Sequence, residues 1–165
     1  MLVYHASNQI VEKPIIINRL HTLDFGSGFY TTTNKEQAGN FATKVYVRRQ
    51  KQGVPTVNCY EFEHEKAKSA LRILEFSKPD TAWLEFVVAN RRGEKLNQQY
   101  DIIIGPVAND DVFTTITLYE SGEISKEIAI ERFKVKKLFN QILFCNAESL
   151  KFLRYIENES LEVVS

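Results

Sequence analysis

The chain is poor in the residues that mark specialised scaffolds. Its 165 residues include 2 cysteines, 1 methionine, 1 tryptophan and 4 prolines. Cys59 and Cys145 stand alone with no CxxC spacing, so the sequence encodes neither a disulfide framework nor a cysteine metal cluster. His5, His21 and His64 add no standard ligand spacing, and no metal is expected. The two thiols read as buried residues of a reducing cytoplasm, which sets the expected localisation. An excess of either charge is also missing. Lys+Arg and Asp+Glu both number 21, so no overall field draws the chain to nucleic acid or anionic lipid. No long apolar run occurs, and Met1 to His5 lacks a charged leader. No signal peptide, membrane helix or membrane partner is expected.

What is present suits a folded domain. The chain is 44% hydrophobic and 12% aromatic, its length fits one domain over 1–165, and no repeat or linker divides it. Strands are expected at 2–5, 28–32, 56–62, 71–76, 100–105 and 139–145. The run at 100–105 is continuously apolar and reads as central, buried on both faces. Helices are expected at 34–46, where Ala38, Phe41, Ala42 and Val45 share a face, and after Ser77-Lys78-Pro79-Asp80. Further helices follow the caps Asn109-Asp110-Asp111, Ser125 and Asn146, the last running to about Ile156. Val11 to Asp24 reads as loop, and 157–165 as a loosely held tail. Strands spread through the chain with helices between them predict an α+β fold with a bent or split sheet. A doubly wound fold does not fit, because the glycine turn precedes a strand instead of leading from strand to helix.

The densest signal is Asp24-Phe25-Gly26-Ser27-Gly28-Phe29-Tyr30-Thr31-Thr32-Thr33. Gly26 and Gly28 permit positive φ and close approach to a ligand. Thr33 reads as an N-cap with Glu36 at N3. A glycine turn, an aromatic and a helix start make a nucleotide cradle, or else a tight turn between two elements.

Three polar or aromatic residues lie on or beside strands. His5, followed by Ala6 and Ser7, can reach a sugar hydroxyl, or serve as a core histidine bonded to backbone. Tyr30 can stack on a flat heterocycle, or pack as a core aromatic. Gln141 interrupts an apolar strand, so it faces solvent or meets something specific. Arg19 and Asp24 flank the glycine turn and read as pyrophosphate contacts or a surface ion pair. Arg91 and Arg92 follow Asn90 near a helix end, where basic residues also complement the dipole. Lys134-Val135-Lys136-Lys137 reads as a solvated face.

Together these segments resemble the ADP-ribosyltransferase superfamily, in the branch where a histidine, a tyrosine and a glutamate from three strands hold NAD. Tyr4-His5-Ala6-Ser7 is similar to its Tyr/Phe-His-Gly-Ser/Thr strand, and Gly26-Ser27-Gly28-Phe29-Tyr30 to its Gly-x-Gly-Ile-Tyr turn. Phe41, preceded by Asn40, falls where that family often places a second nicotinamide-stacking aromatic. Leu138 to Phe144 resembles its Leu-Tyr-Asn-Glu-Tyr-Ile-Val strand. Nearly the whole chain is similar to a bacterial family catalogued as a domain of unknown function (3990), grouped with these transferases. Phe25-Gly-Ser-Gly-Phe-Tyr-Thr-Thr, Val88-Ala-Asn-Arg-Arg-Gly and Tyr100-Asp-Ile-Ile-Ile-Gly-Pro-Val-Ala-Asn-Asp carry that likeness.

The resemblance implies a split-sheet transferase fold that uses NAD as substrate. His5, Tyr30 and Gln141 are the implied catalytic set; Ser7, Gly26, Gly28, Phe41, Asp24 and Arg19 are the implied NAD contacts. It also implies a mono-ADP-ribosyltransferase acting on a protein or nucleic-acid acceptor, as the toxin of a bacterial pair with an antitoxin partner. Two positions depart from the pattern. Ala6 replaces a glycine. Gln141 replaces the glutamate whose carboxylate stabilises the ribosyl cation, an interaction worth roughly 10²–10³ in rate. Asp101 and Asp110 are the acidic substitutes within the chain, although Asp110 equally reads as a helix N-cap. The alternative is an inactive nucleotide-binding or protein-interaction domain on the same scaffold.

Overall fold

In the computed structural model, described over residues 1–17, 24–106, 110–134 and 138–163, the chain is α+β, with a mixed seven-stranded sheet and six α-helices. The strands are β1 (Leu2–Ser7), β2 (Phe29–Thr32), β3 (Thr56–Phe62), β4 (Ile73–Glu75), β5 (Ile102–Pro106), β6 (Asn140–Phe144) and β7 (Leu153–Ser160). The helices are α1 (Lys35–Arg48), α2 (His64–Ala70), α3 (Thr81–Arg91), α4 (Asp110–Glu120), α5 (Lys126–Lys134) and α6 (Ala147–Leu150). A 3₁₀ turn spans Leu96–Gln99. Arg19, the Asn109 cap and residues 135–137 lie outside the described residues.

Sheet order is β4-β5-β6-β2-β1-β3-β7. Only β4 and β5 pair in parallel. The pairing is uneven. β1 runs beside β3 from Leu2↔Glu61 to Ser7↔Thr56, and β2 beside β6 from Phe29↔Phe144 to Thr32↔Gln141. Between β1 and β2 the register holds one pair, Tyr4↔Thr32. Two well-paired wings therefore meet at a narrow seam.

Burial follows strand alternation on both sides. Ile103 and Leu143 join Phe25, Trp83, Val87, Ile116 and Phe133 in one core under α3, α4 and α5. Ile102, Ile104, Ile142 and Phe144 turn the other way, onto Val3, Phe29, Tyr60, Phe62 and Ala67. The 100–105 run is thus buried on both faces, as its composition predicts. Ala38 and Ala42 seat α1 on Val57.

Several local expectations are corrected. Asn34, not Thr33, caps α1: its side chain accepts from the Gln37 N–H at 2.7 Å. Asp80 caps α3 directly, so Ser77 and Pro79 precede the helix. The strand expected over 71–76 shortens to β4, and α2 was not foreseen; its single buried residue, Ala67, gives no periodic signal. Asn146 does cap a helix, but α6 lasts one turn. The chain then forms β7, which pairs with β3 from Leu153↔Phe62 to Ser160↔Thr56. Residues 157–160, expected to trail, are strand, and the Leu161 N–H bonds Pro55 O at 2.8 Å. The physical reason is tertiary: β3 needed a partner for its outer edge, and pairing overrides local helix preference.

Asp101 fixes one corner of the sheet. It accepts from the Arg72 backbone N–H (2.8 Å), from the Arg72 guanidinium (3.0 and 3.2 Å) and from Asn146 Nδ2 (2.7 Å). The Arg72 guanidinium holds its carboxyl down to about 2, against an ordinary value of 3.8. Its folded-state pKa is depressed, so its stabilisation is complete above about pH 4 and fades as pH falls through 2. The Arg72 side chain is 65% exposed, so screening weakens the ion pair itself, and the backbone and Asn146 bonds matter more. Asp101→Ala is expected to destabilise by about 1–3 kcal/mol at pH 7 in urea denaturation. The difference should shrink between pH 4 and 2.

Candidate functional site

His5 of β1 and Tyr30 of β2 lie beside the seam between those strands. His5 Nδ1 lies 2.7 Å from Tyr30 O. A carbonyl can only accept, so Nδ1 carries a proton and donates. The imidazole thereby bridges the two strands just past their one register pair. Its ring also stacks on Phe29, centroids 4.1 Å apart. Ser7, buried at the end of β1, turns to the same side as His5 by alternation.

Tyr30 and Gln141 occupy the opposite face. Thr32 pairs with Gln141 and Tyr30 with Leu143, so Tyr30 and Gln141 are diagonal neighbours, roughly 7–8 Å apart in a sheet. The Tyr30 ring packs against the core beneath α3 and α4. Its hydroxyl donates to Gly26 O at 2.6 Å and accepts from the Phe25 N–H at 3.2 Å. The phenol therefore ties down the glycine turn. Tyr30 and Gln141 share a face, while His5 lies on the other and reaches the Tyr30 backbone carbonyl.

The two glycines are demanded by packing inside the protein. Gly26 has φ of 93°, and a Cβ there would come within 2.3 Å of Asn97 Cγ. A Cβ on Gly28 would lie 2.4 Å from Phe144 O and 2.5 Å from Leu143 Cδ1. Asn97, which sequence reasoning missed, donates from Nδ2 to Ser27 O at 3.4 Å and supports the turn from below. Nothing in the local sequence marks it.

Gln141 is 7% exposed, and its Nε2 is buried without a hydrogen-bond partner among the described residues. An unmet buried amide donor costs about 1–3 kcal/mol. The Thr32 hydroxyl, opposite it, is already hydrogen-bonded. The oxygen accepts from the Asn34 N–H at 3.1 Å and lies 2.6 Å from Gln37 Oε1, with Asn140 O further off at 3.2 Å. Gln37 was not foreseen; the hydroxyl–cap pairing of Thr32 with Asn34 is the signal that could have shown it.

The remaining expected contacts scatter. Phe41 is 47% exposed on α1, with the Arg48 guanidinium 5.6 Å from its ring centre. Asp101 stands four residues along β5 from Gly105, the partner of Gln141, which is about 13 Å of strand. Its oxygens are already engaged, so it does not replace the missing carboxylate. The side chain of Asp110 is outside the described residues. Asp24 sits half-buried before the turn. Burial raises its carboxyl to about 6, Arg91 opposes this, and Glu120 adds to it. Arg91 Nη1 is 3.5 Å from Glu120 Oε2 and its guanidinium stacks 4.3 Å from the Phe113 ring. Burial also pushes the Cys145 thiol up to about 12, which removes it as a neutral-pH nucleophile. Among the described residues no group of three or more His, Cys, Asp or Glu could hold a metal. No helix among them is long and apolar enough to cross a membrane.

Two outcomes follow from this geometry. Gly26→Ala should destabilise by roughly 1–3 kcal/mol in urea titration, because it adds both backbone strain and a clash with Asn97. Asp24→Asn should stabilise at pH 7. The folded-state pKa is raised, so the native carboxyl holds its proton longer than the unfolded one, and wild-type stability falls as pH rises from 4 to 6. Melting temperatures of the variant should lose that slope.

No curated protein and no solved structure matches the chain. The family model described as Protein of unknown function (DUF3990) matches residues 1–155. With nearly its whole length covered, the chain belongs to the DUF3990 family.

Proposed function

We propose that the protein binds NAD at the seam of β1, β2 and β6 and acts as a mono-ADP-ribosyltransferase. The observation that carries this reading is the Gln141 carboxamide, buried with an unmet donor beside Tyr30. A buried polar group without a partner among the described residues calls for one from outside. The choice of NAD rests on the resemblance of the His5, Tyr30 and Gln141 segments to the transferase strands. The bridge from the His5 imidazole to Tyr30 O supports it by holding two of those residues together.

In the transfer, the bond from ribose C1′ to the nicotinamide nitrogen breaks, and nicotinamide leaves with the electron pair. Positive charge develops on the ribose. A lone pair of the acceptor closes on C1′, and the acceptor gives up its proton. His5, fixed through Nδ1, orients the ribose. Gln141 orients a ribose hydroxyl, but a neutral amide does less for the developing cation than a carboxylate. The resemblance gives Tyr30 and Phe41 to the nicotinamide ring, but the Tyr30 ring packs on the core and Phe41 stands apart on α1. The acceptor, on this reading, is a protein or a nucleic acid. The same resemblance supports a cytoplasmic toxin held in check by an antitoxin protein.

A second reading is favoured by Gln141 itself and by Asp101, whose oxygens are spent on Arg72 and Asn146. On that reading the protein binds a nucleotide without turning it over. Nicotinamide release in the presence of cell lysate separates the two. His5→Ala should abolish release, and Gln141→Glu should raise it by roughly 10–100-fold by restoring the carboxylate. NAD-dependent thermal stabilisation without release, unchanged in Gln141→Glu, selects the binding module. No thermal response to NAD at all removes both readings.

A further inference from the structure

The charge of the chain balances overall but not along its length. From Gln37 to Tyr60 there is no aspartate or glutamate, yet Lys44, Arg48, Arg49 and Lys51 crowd together there. All of these cations are exposed, on the C-terminal half of α1 and the turn after it. Arg48, Arg49 and Lys51 make no ion pair among the described residues. Phe41, Lys44 and Arg48 fall at i, i+3 and i+7, which is one stripe of a helix. Phe41 is half-exposed on that stripe, and the Arg48 guanidinium lies 5.6 Å from its ring centre.

The rest of α1 faces elsewhere. Ala38 and Ala42 seat the helix on Val57, and Phe41 takes no part in that packing. The acidic strand β7 runs along the other flank. Lys35 is 2.7 Å from Glu159, and Leu161 Cδ1 is the atom nearest a Cβ built on Gly39. At about 100° per residue, positions 35 and 39 lie opposite positions 41, 44 and 48. Cations in the last turn also offset the helix dipole. The dipole gives no reason for an exposed aromatic two turns earlier.

A partner with both negative charge and flat rings fits this face. A nucleic-acid strand supplies phosphates to the cations and a base to the ring. An anionic bilayer fits less well, because the apolar side of α1 is turned to the sheet and only Phe41 and Val47 are left to insert. An acidic peptide would use the cations but not the ring. A duplex keeps its base faces inside the stack. We propose that the Phe41–Arg48 face of α1, extended by Arg49 and Lys51, binds single-stranded nucleic acid, with a base against Phe41 and phosphates on the cations. The surface goes beyond the NAD reading and stands without it.

Fluorescence anisotropy with a labelled oligothymidine of about twelve nucleotides, over a range of salt concentrations, tests the surface. Phosphate contacts from Arg48, Arg49 and Lys51 predict that log K falls against log salt with a slope of roughly −2. Arg48→Gln and Arg49→Gln should each flatten that slope by about 0.7. Phe41→Ala should weaken binding about tenfold at an unchanged slope, and Phe41→Tyr should restore it. All of these side chains are exposed, so melting temperatures should hold. Equal affinity for a duplex of the same length, or full affinity in Phe41→Ala, overturns the stacked strand. Binding to phosphatidylserine vesicles but not to the oligonucleotide makes the face a membrane surface and overturns the proposal. Equal binding of polyglutamate makes it a general polyanion surface and does the same. Absence of oligonucleotide binding at about 50 mM salt overturns it outright. Nicotinamide release is read separately, so failure here leaves the NAD reading to its own test.

Discussion

One short contact governs the geometry of this protein. β1 and β2 share the single register pair Tyr4↔Thr32, and past it the His5 imidazole reaches Tyr30 O. A side chain stands where the ladder would have continued. The sheet thus becomes two wings, each well paired within itself, with polar groups collected along the line where they meet. Everything proposed about NAD binding depends on that interruption. A continuous ladder between β1 and β2 would have consumed the same backbone groups and left no seam to fill.

The elements around the seam are held by contacts that have structural reasons of their own. The glycine turn is pinned from inside by the Tyr30 hydroxyl and from below by Asn97. Its glycines are needed because Asn97 and β6 approach too closely for a Cβ. A rigid turn and a ligand cradle are compatible, since pre-organisation lowers the cost of binding. The Asp24, Arg91 and Glu120 charges sit on the α3 and α4 side of this turn. Asp101 stands at the same end of β5 and β6 as the turn, four residues along β5 from the Gln141 pairing, and there it joins Arg72 to Asn146. One acidic residue is raised towards neutrality by burial; the other is strongly ionised but has its oxygens engaged by Arg72 and Asn146. Neither takes the place that the Gln141 amide occupies.

Much of the architecture was legible in the chain. The apolar run of β5, the alternation of β3 and the cap residues Ser125 and Asn146 carry local signals strong enough to survive folding. What was not legible depended on distant partners. α2 buries one alanine and so shows no stripe. β7 became a strand because β3 offered an open edge, a fact invisible in the residues of β7 themselves. Asn34 displaced Thr33 as the cap because Thr33 is drawn to β6, its N–H bonding Asn140 O at 3.2 Å.

The candidate site divides in the same way. The sequence by itself determined that His5, Tyr30 and Gln141 fall on separate strands, because short-range patterning sets strand identity. Tertiary structure alone decided that Tyr30 and Gln141 share a face while His5 lies on the other and reaches the Tyr30 backbone carbonyl. Register and strand order create the relation of Tyr30 to Gln141, more than a hundred positions apart, and no local pattern encodes it.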